Sequence, residues 1–266
     1  MNSLIAGFAA SIALIPAAIL PLCSDGAKWP TGFWGLLVIA VAGPAAYIGI
    51  ELQHGWYGGL AATLWISVAA SAFVFTVVCR TSEVGWRLAP LMFGYLFLLA
   101  LFAISGNAAG SVGIRAYRID GWLLTHIILS VAAYAMATVA AVAGAAVVIK
   151  QTALKRKTSW RLSRLMPPVA QADKLQVTML SFAAVILGVD ILSGMATEYA
   201  KSGTFVQFEH KTVLAGLAFA IIALLLALHT WSGVRGRNIA RGFLIAYLLL
   251  TLGYPGVKFV TDVIMA

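Results

Sequence analysis

The sequence predicts an all-α fold, a polytopic integral membrane bundle of about eight transmembrane helices, on the strength of two observations. Of the 266 residues, 62% are hydrophobic and only 10% are charged, whereas a soluble domain is about a quarter charged. Apolar runs fill nearly the whole chain, and no long polar segment could fold as a separate soluble unit. We therefore expect residues 1–266 to form a single membrane domain.

Each apolar run is about as long as a helix that crosses the hydrocarbon core, which needs roughly 20 residues. The first run lacks the basic start and the cleavage site of a signal peptide, so it counts as a retained helix. Pro44 and Pro255 fall inside the second and eighth runs, where neighbouring helices can satisfy the freed backbone groups. The predicted spans are 3–22, 31–50, 60–79, 88–106, 121–149, 175–198, 212–232 and 240–262.

Basic residues in the loops predict which way the bundle faces. One set of alternate loops carries thirteen lysines and arginines, and the opposite set carries five. The positive-inside rule places the richer set in the cytoplasm, so both termini are expected outside. These loop positions also account for the net charge of +9 without a nucleic acid partner.

The segment 150–174 carries seven of those thirteen basic residues and is the longest polar stretch of the chain. Because Pro167 and Pro168 interrupt it, we interpret it as a basic cytoplasmic linker between two halves of the bundle. Two kinds of partner fit such a linker: the anionic headgroups of membrane lipids and a soluble cytoplasmic protein. The sequence leaves both open.

The sequence offers none of the short motifs on which hydrolytic or phosphoryl-transfer chemistry depends. Cys23 and Cys79 form no CxxC or CxxCH pair, so neither covalent haem attachment nor a thiol relay is encoded. A Walker loop, an HExxH zinc motif and a Ser/His/Asp grouping are likewise absent from the sequence. We therefore expect a protein that binds or delivers a ligand, and not an enzyme.

Histidines near one membrane face are the candidate ligands. His126 lies just inside the outer end of the fifth span, His210 directly precedes the seventh, and His54 follows the second. A neutral imidazole nitrogen at that depth can ligate haem iron or another transition metal. For His126 the alternative is a structural, hydrogen-bonded histidine at the membrane interface. We take His126 and His210 as candidate metal ligands and cofactor-binding residues.

Asp190 lies among apolar residues in the sixth span. A carboxyl group there must be paired, protonated or exposed to water. If the fifth and sixth helices pack as antiparallel neighbours, Asp190 reaches the depth of His126, where it could accept a hydrogen bond from the second ring nitrogen of a ligand histidine. A structural hydrogen bond to a neighbouring helix is the alternative. Asp190 is therefore a third candidate cofactor-binding residue.

Four motifs fall in order on the predicted helix boundaries, over about residues 60–264. They are His126 with Leu129, Ser130 and Tyr134; 165–169 with Leu187-Gly188 and Leu192-Ser193-Gly194; His210-Lys211-Thr212; and Arg235-Gly236-Arg237 with Leu252-Gly253-Tyr254-Pro255. Taken together they resemble the motifs of the cytochrome c assembly integral membrane family, the CcsA-, HemX- and YpjD-like proteins. The resemblance is closest to the YpjD-like branch.

The resemblance implies a multi-pass protein of a bacterial inner membrane that handles haem. In such a bundle, outward-facing histidines hold haem non-covalently for delivery to apocytochrome c, with His126 as one ligand and His210 as our choice for the second. The YpjD-like branch is also linked to magnesium or cobalt efflux systems of the CorC type, so a non-haem accessory or permease-like subunit is an alternative. A membrane scaffold that docks a cytoplasmic partner at 150–174 is another.

Overall fold

A computed structural model describes residues 3–23, 32–53, 59–108, 121–203, 210–232, 237–252 and 256 of the chain. The regular structure in these ranges is helical, which confirms the predicted all-α class. A short 3-10 helix, Gly85–Leu88, leads directly into α5. The helices are α1 Ser3–Ile12, α2 Ile15–Cys23, α3 Phe33–Gln53, α4 Leu60–Thr81, α5 Ala89–Ala108, α6 Gly121–Lys155, α7 Arg161–Leu165, α8 Val169–Ser202, α9 His210–Ser232 and α10 Arg237–Thr251.

The first predicted span is divided into two helices. α1 ends at Ile12 and α2 begins at Ile15. Pro16 explains the break, because proline has no backbone N–H and its ring clashes with the carbonyl of the residue four positions earlier, which here is Ile12. The two helices still cover the length of one crossing, Leu4–Cys23.

The fifth and sixth predicted spans are longer in the structure than the sequence suggested. α6 has 35 residues and α8 has 34, so both helices extend into the segment 150–174. Only residues 156–168 remain between them, and these include the short helix α7. At 1.5 Å per residue α6 is about 52 Å long, well beyond the roughly 30 Å of the hydrocarbon core. The basic residues therefore lie on the ends of α6 and α8 and on the connection between them, which includes α7. Their placement on the cytoplasmic side stays a prediction.

Within the described ranges, seven helical stretches are long and apolar enough to cross a membrane. They correspond to the first seven predicted spans and confirm a multi-pass membrane bundle. The eighth predicted span, 240–262, is described only to Leu252 and at Gly256. The shorter apolar helix Ile239–Thr251 covers its start. Its remainder, with Pro255, lies outside the described residues. The orientation of both termini stays a prediction.

Two hydrophobic cores meet at the central helix α6. The first core packs α1 to α5 against one part of α6, around large buried side chains such as Trp65, Phe75 and Phe93. The second core packs α8, α9 and α10 against another part of α6, around Leu187 and Phe243. α6 and α8 pack side by side along most of their length. α8 and α10 also contribute a residue each to the first core, Ala172 and Ala240. The paired helices α6 and α8 position the candidate site.

Candidate functional site

The structure brings two of the predicted site residues into contact. His126 lies near the start of α6, and Asp190 lies in the second half of α8. The two helices run antiparallel, so these positions fall at the same depth. His126 Nδ1 is 3.0 Å from Asp190 Oδ1. This is the arrangement that antiparallel packing of the fifth and sixth spans was expected to allow.

Two serines complete the polar cluster around this pair. Ser130 Oγ donates a hydrogen bond of 2.6 Å to Asp190 Oδ1. Ser193 Oγ lies 2.8 Å from His126 Nδ1. The same Ser193 hydroxyl donates a 2.8 Å hydrogen bond to the main-chain carbonyl of Asp190. Each helix thus contributes a serine one turn away from its ionisable residue.

These hydrogen bonds determine which nitrogen of His126 carries the proton. Ser193 donates its hydroxyl proton to a carbonyl, so its oxygen can only accept from the imidazole. The Asp190 carboxylate oxygen is also an acceptor. With an acceptor on either side, Nδ1 is the protonated nitrogen. In the neutral ring, Nε2 then holds the lone pair that a metal ion needs.

Gly194 allows the imidazole to lie close to α8. A Cβ atom at position 194 would stand 3.1 Å from His126 Cε1 and 3.6 Å from Nε2. The first distance is shorter than ordinary carbon–carbon contact, which begins near 3.4 Å. The His126 side chain remains 28% exposed and that of Asp190 12% exposed. The ring is therefore held firmly at Nδ1 and stays accessible.

The structure describes less of the other two predicted ligands, His210 and His54. His210 is the first residue of α9, and its side chain lies outside the described part of the chain. α9 starts shortly after α8 ends, so His210 is at the same end of the bundle as His126. His54 falls outside the described residues altogether. In the described ranges, no three His, Cys, Asp or Glu side chains come together as a metal-binding group.

Sequence reasoning missed the contributions of Ser130, Ser193 and Gly194, although all three belong to the motifs quoted above. Helical spacing was the available signal. Ser130 follows His126 by four positions, and Ser193 and Gly194 follow Asp190 by three and four. Residues at these spacings lie on one face of a helix, so any helix face that presents His126 or Asp190 also presents these neighbours.

A second polar cluster lies further along α6. Tyr95 of α5, Tyr134 of α6 and Tyr247 of α10 bring their hydroxyl groups together, with the oxygens of Tyr95 and Tyr247 2.8 Å apart. The Tyr247 hydroxyl is also 2.9 Å from Thr138 Oγ1 and 3.2 Å from the Tyr134 hydroxyl. Tyr95 packs against the first core and Tyr134 belongs to the second. This tyrosine cluster therefore links the two cores.

The fold and site define a class: a polytopic membrane bundle with an imidazole–carboxylate pair near one end of its central helix. The model of the family described as cytochrome C assembly protein matches residues 54–265, and the chain belongs to that family. Membership supports a role in cytochrome c maturation.

Two relatives are similar over most of the chain. The "Uncharacterized 28.8 kDa protein in nifR3-like 5'region" of Azospirillum brasilense is 39% identical over 268 residues, which cover 99% of this chain and 99% of that protein. The inner membrane protein YpjD of Escherichia coli (strain K12) is 26% identical over 192 residues, covering 72% of this chain and 70% of YpjD. No solved structure matches the chain. The apolar helices and the likeness to YpjD make it a multi-pass inner membrane protein.

Proposed function

We propose that this protein handles haem in cytochrome c maturation and that His126 Nε2 is an iron ligand. The observation that carries the proposal is the engagement of Nδ1 by Asp190 and Ser193, which leaves Nε2 as the free basic nitrogen of a partly exposed ring. An imidazole fits haem iron as an axial ligand. Family membership supplies the context, because cytochrome c is a haem protein.

Asp190 acts through His126 in this proposal. A carboxylate on the far nitrogen of a ligand histidine holds the ring in one tautomer and orientation, and it raises the basicity of the ligating nitrogen. Ser130 in turn holds Asp190 Oδ1 through its 2.6 Å hydrogen bond. Asp190 is therefore a cofactor-binding residue by positioning the imidazole, and His126 is the residue that would touch iron.

His210 is our proposed second ligand, because α9 starts at the end of the bundle where His126 lies. Haem, when bound, would supply an iron centre that accepts nitrogen ligands. The chain would bind the group non-covalently, orient it and release it to an assembly partner. We propose this binding or delivery role in place of catalytic turnover.

Absorbance of the purified full-length protein tests the proposal. Protein from haem-replete cells should show a Soret band, and His126→Ala should remove it. His229→Ala is the matched control, because His229 lies near the opposite end of α9 and should leave the band unchanged. A wild-type protein without a Soret band, or a band that survives in His126→Ala, would contradict the assignment.

The family match and the relatives give no support to the alternative role in magnesium or cobalt efflux.

A further inference from the structure

A group of exposed basic side chains lies at the turn between α6 and α7, at the end of α6 opposite to His126. This basic corner consists of Lys155, Arg156, Lys157, Arg161 and Arg164, all of them exposed. None of the five forms an ion pair with a described acidic residue. Asp173, the acidic residue of the segment 150–174, is buried. The corner is therefore a concentrated positive charge that the described protein does not neutralise.

Two large apolar side chains stand beside these charges. Leu154 is 64% exposed and Trp160 is 56% exposed. Tryptophan is enriched where a membrane protein meets the headgroup region, since its ring is apolar while its N–H can reach polar groups. Basic side chains together with exposed apolar side chains are the combination that suits a lipid surface.

The corner is held in a defined shape. Lys150 Nζ donates a 2.7 Å hydrogen bond to the main-chain carbonyl of Ser163, which ties α7 to the last turns of α6. α6 is also long enough to carry its final turns beyond the hydrocarbon core. The basic side chains are thus presented by a fixed turn at the end of α6.

Lys157 occupies a backbone conformation that favours glycine. Its φ is 52°, in the left-handed region where a side chain is unfavourable. The turn closes α6 with two hydrogen bonds, from Thr158 N to the carbonyl of Ala153 and from Lys157 N to that of Leu154. This pairing is the Schellman motif, whose left-handed position is usually glycine. Strain that persists at a charged residue points to a role for the charge.

We propose that the basic corner binds the headgroup of an anionic phospholipid, with the arginine and lysine side chains on the phosphate and Leu154 and Trp160 at the boundary of the acyl chains. Guanidinium groups suit phosphate because they can donate two parallel hydrogen bonds to its oxygens. The site is separate from the haem-handling proposal, because it lies at the other end of α6.

A lipid titration of the full-length protein in non-ionic detergent tests this site. Soluble short-chain phosphatidylglycerol and phosphatidylcholine are added separately, and the rise in Tm gives an apparent affinity for each. The wild-type protein should prefer phosphatidylglycerol. A cation near a lipid surface contributes about five-fold in affinity, so Arg156→Gln with Arg161→Gln should weaken phosphatidylglycerol binding by roughly 25-fold. Arg80→Gln with Arg241→Gln removes the same charge from exposed positions elsewhere and should leave the affinity unchanged.

Lys157→Gly distinguishes the effect of the lost charge on lipid binding from an effect on the stability of the fold. Glycine relieves the backbone strain, so the variant should have a higher Tm without lipid, while losing a cation should weaken its affinity for phosphatidylglycerol. Equal wild-type affinities for the two lipids would overturn the proposal, as would an equal loss in both double variants. It is also overturned if the corner variants keep phosphatidylglycerol binding but lose binding to a polyglutamate peptide, since the occupant would then be a soluble acidic protein.

Discussion

Two polar clusters lie along α6, and they differ in whether a polar atom is left free to bind a ligand. His126, Ser130, Tyr134 and Thr138 follow one another at intervals of four residues, so they form one ridge along the helix. In the tyrosine cluster, each described hydroxyl has another hydroxyl as partner. In the His126 cluster, every hydrogen bond converges on Nδ1 or on Asp190, and Nε2 has no described partner. Satisfied polar groups in a membrane interior hold helices together, whereas a nitrogen left with a lone pair can bind a ligand.

Removing the His126 imidazole should have the largest effect, and the quantity that changes is the amount of bound haem. His126→Ala should abolish bound haem, whereas Tyr247→Phe should leave the Soret band intact, because only the first change removes the proposed iron ligand. The haem content of the two purified variants, measured as the pyridine haemochrome, checks this. Equal haem contents would mean that the two clusters do not differ in function.

Asp190→Asn should have the next largest effect. Loss of the carboxylate beside a ligand histidine typically weakens metal affinity 10- to 100-fold, and we expect that range for haem titrated into the haem-free protein. Asp173→Asn in the same helix is the control, because Asp173 lies toward the other end of α8. An unchanged affinity in Asp190→Asn would show that the carboxylate has only a structural role.

Gly194→Ala should have a smaller effect that is specific to the site. The new Cβ would stand 3.1 Å from His126 Cε1, so the ring must shift and its contact with Asp190 must lengthen. We expect haem to bind several-fold more weakly, at roughly 1 kcal/mol for a displaced hydrogen bond. Gly188→Ala is the control, since its Cβ would meet Phe219 at an ordinary 3.4 Å. The same affinity in both variants would contradict the close packing of the imidazole.

The smallest effect is expected from the tyrosine cluster, and it concerns stability alone. Tyr247→Phe removes a hydroxyl with three partners, whereas Tyr95→Phe removes one with two. Hydrogen bonds inside membrane proteins contribute about 0.6 kcal/mol each, so Tyr247→Phe should lower the free energy of unfolding by about 1 to 2 kcal/mol and Tyr95→Phe by less. Denaturant unfolding in mixed micelles measures both. A larger loss of stability in Tyr95→Phe would show that the Tyr247 hydroxyl is not the main hydrogen-bonding group of the cluster.

Hydropathy alone determined the all-α class and the approximate position of the spans, because a helix in a bilayer is specified by a local run of apolar residues. Because the signal is local, the predicted bounds of some helices were wrong. Pro16 divides the first span, and α6 and α8 continue past the apolar runs into the basic segment 150–174. A hydropathy pattern marks the part of a helix that lies in lipid and does not mark where the helix ends.

The sequence also determined which side chains are the candidate ligands, since ionisable groups are rare in membrane spans. His126 and Asp190 followed from that rule. Only the tertiary structure decided that the two meet, with Ser193 and Gly194 against the ring, and that Tyr95 and Tyr247 join across the cores. The partners are 64 and 152 residues apart. Helices that are apolar on all sides carry no pattern that specifies which face turns inward, so their rotation and pairing emerge only from packing.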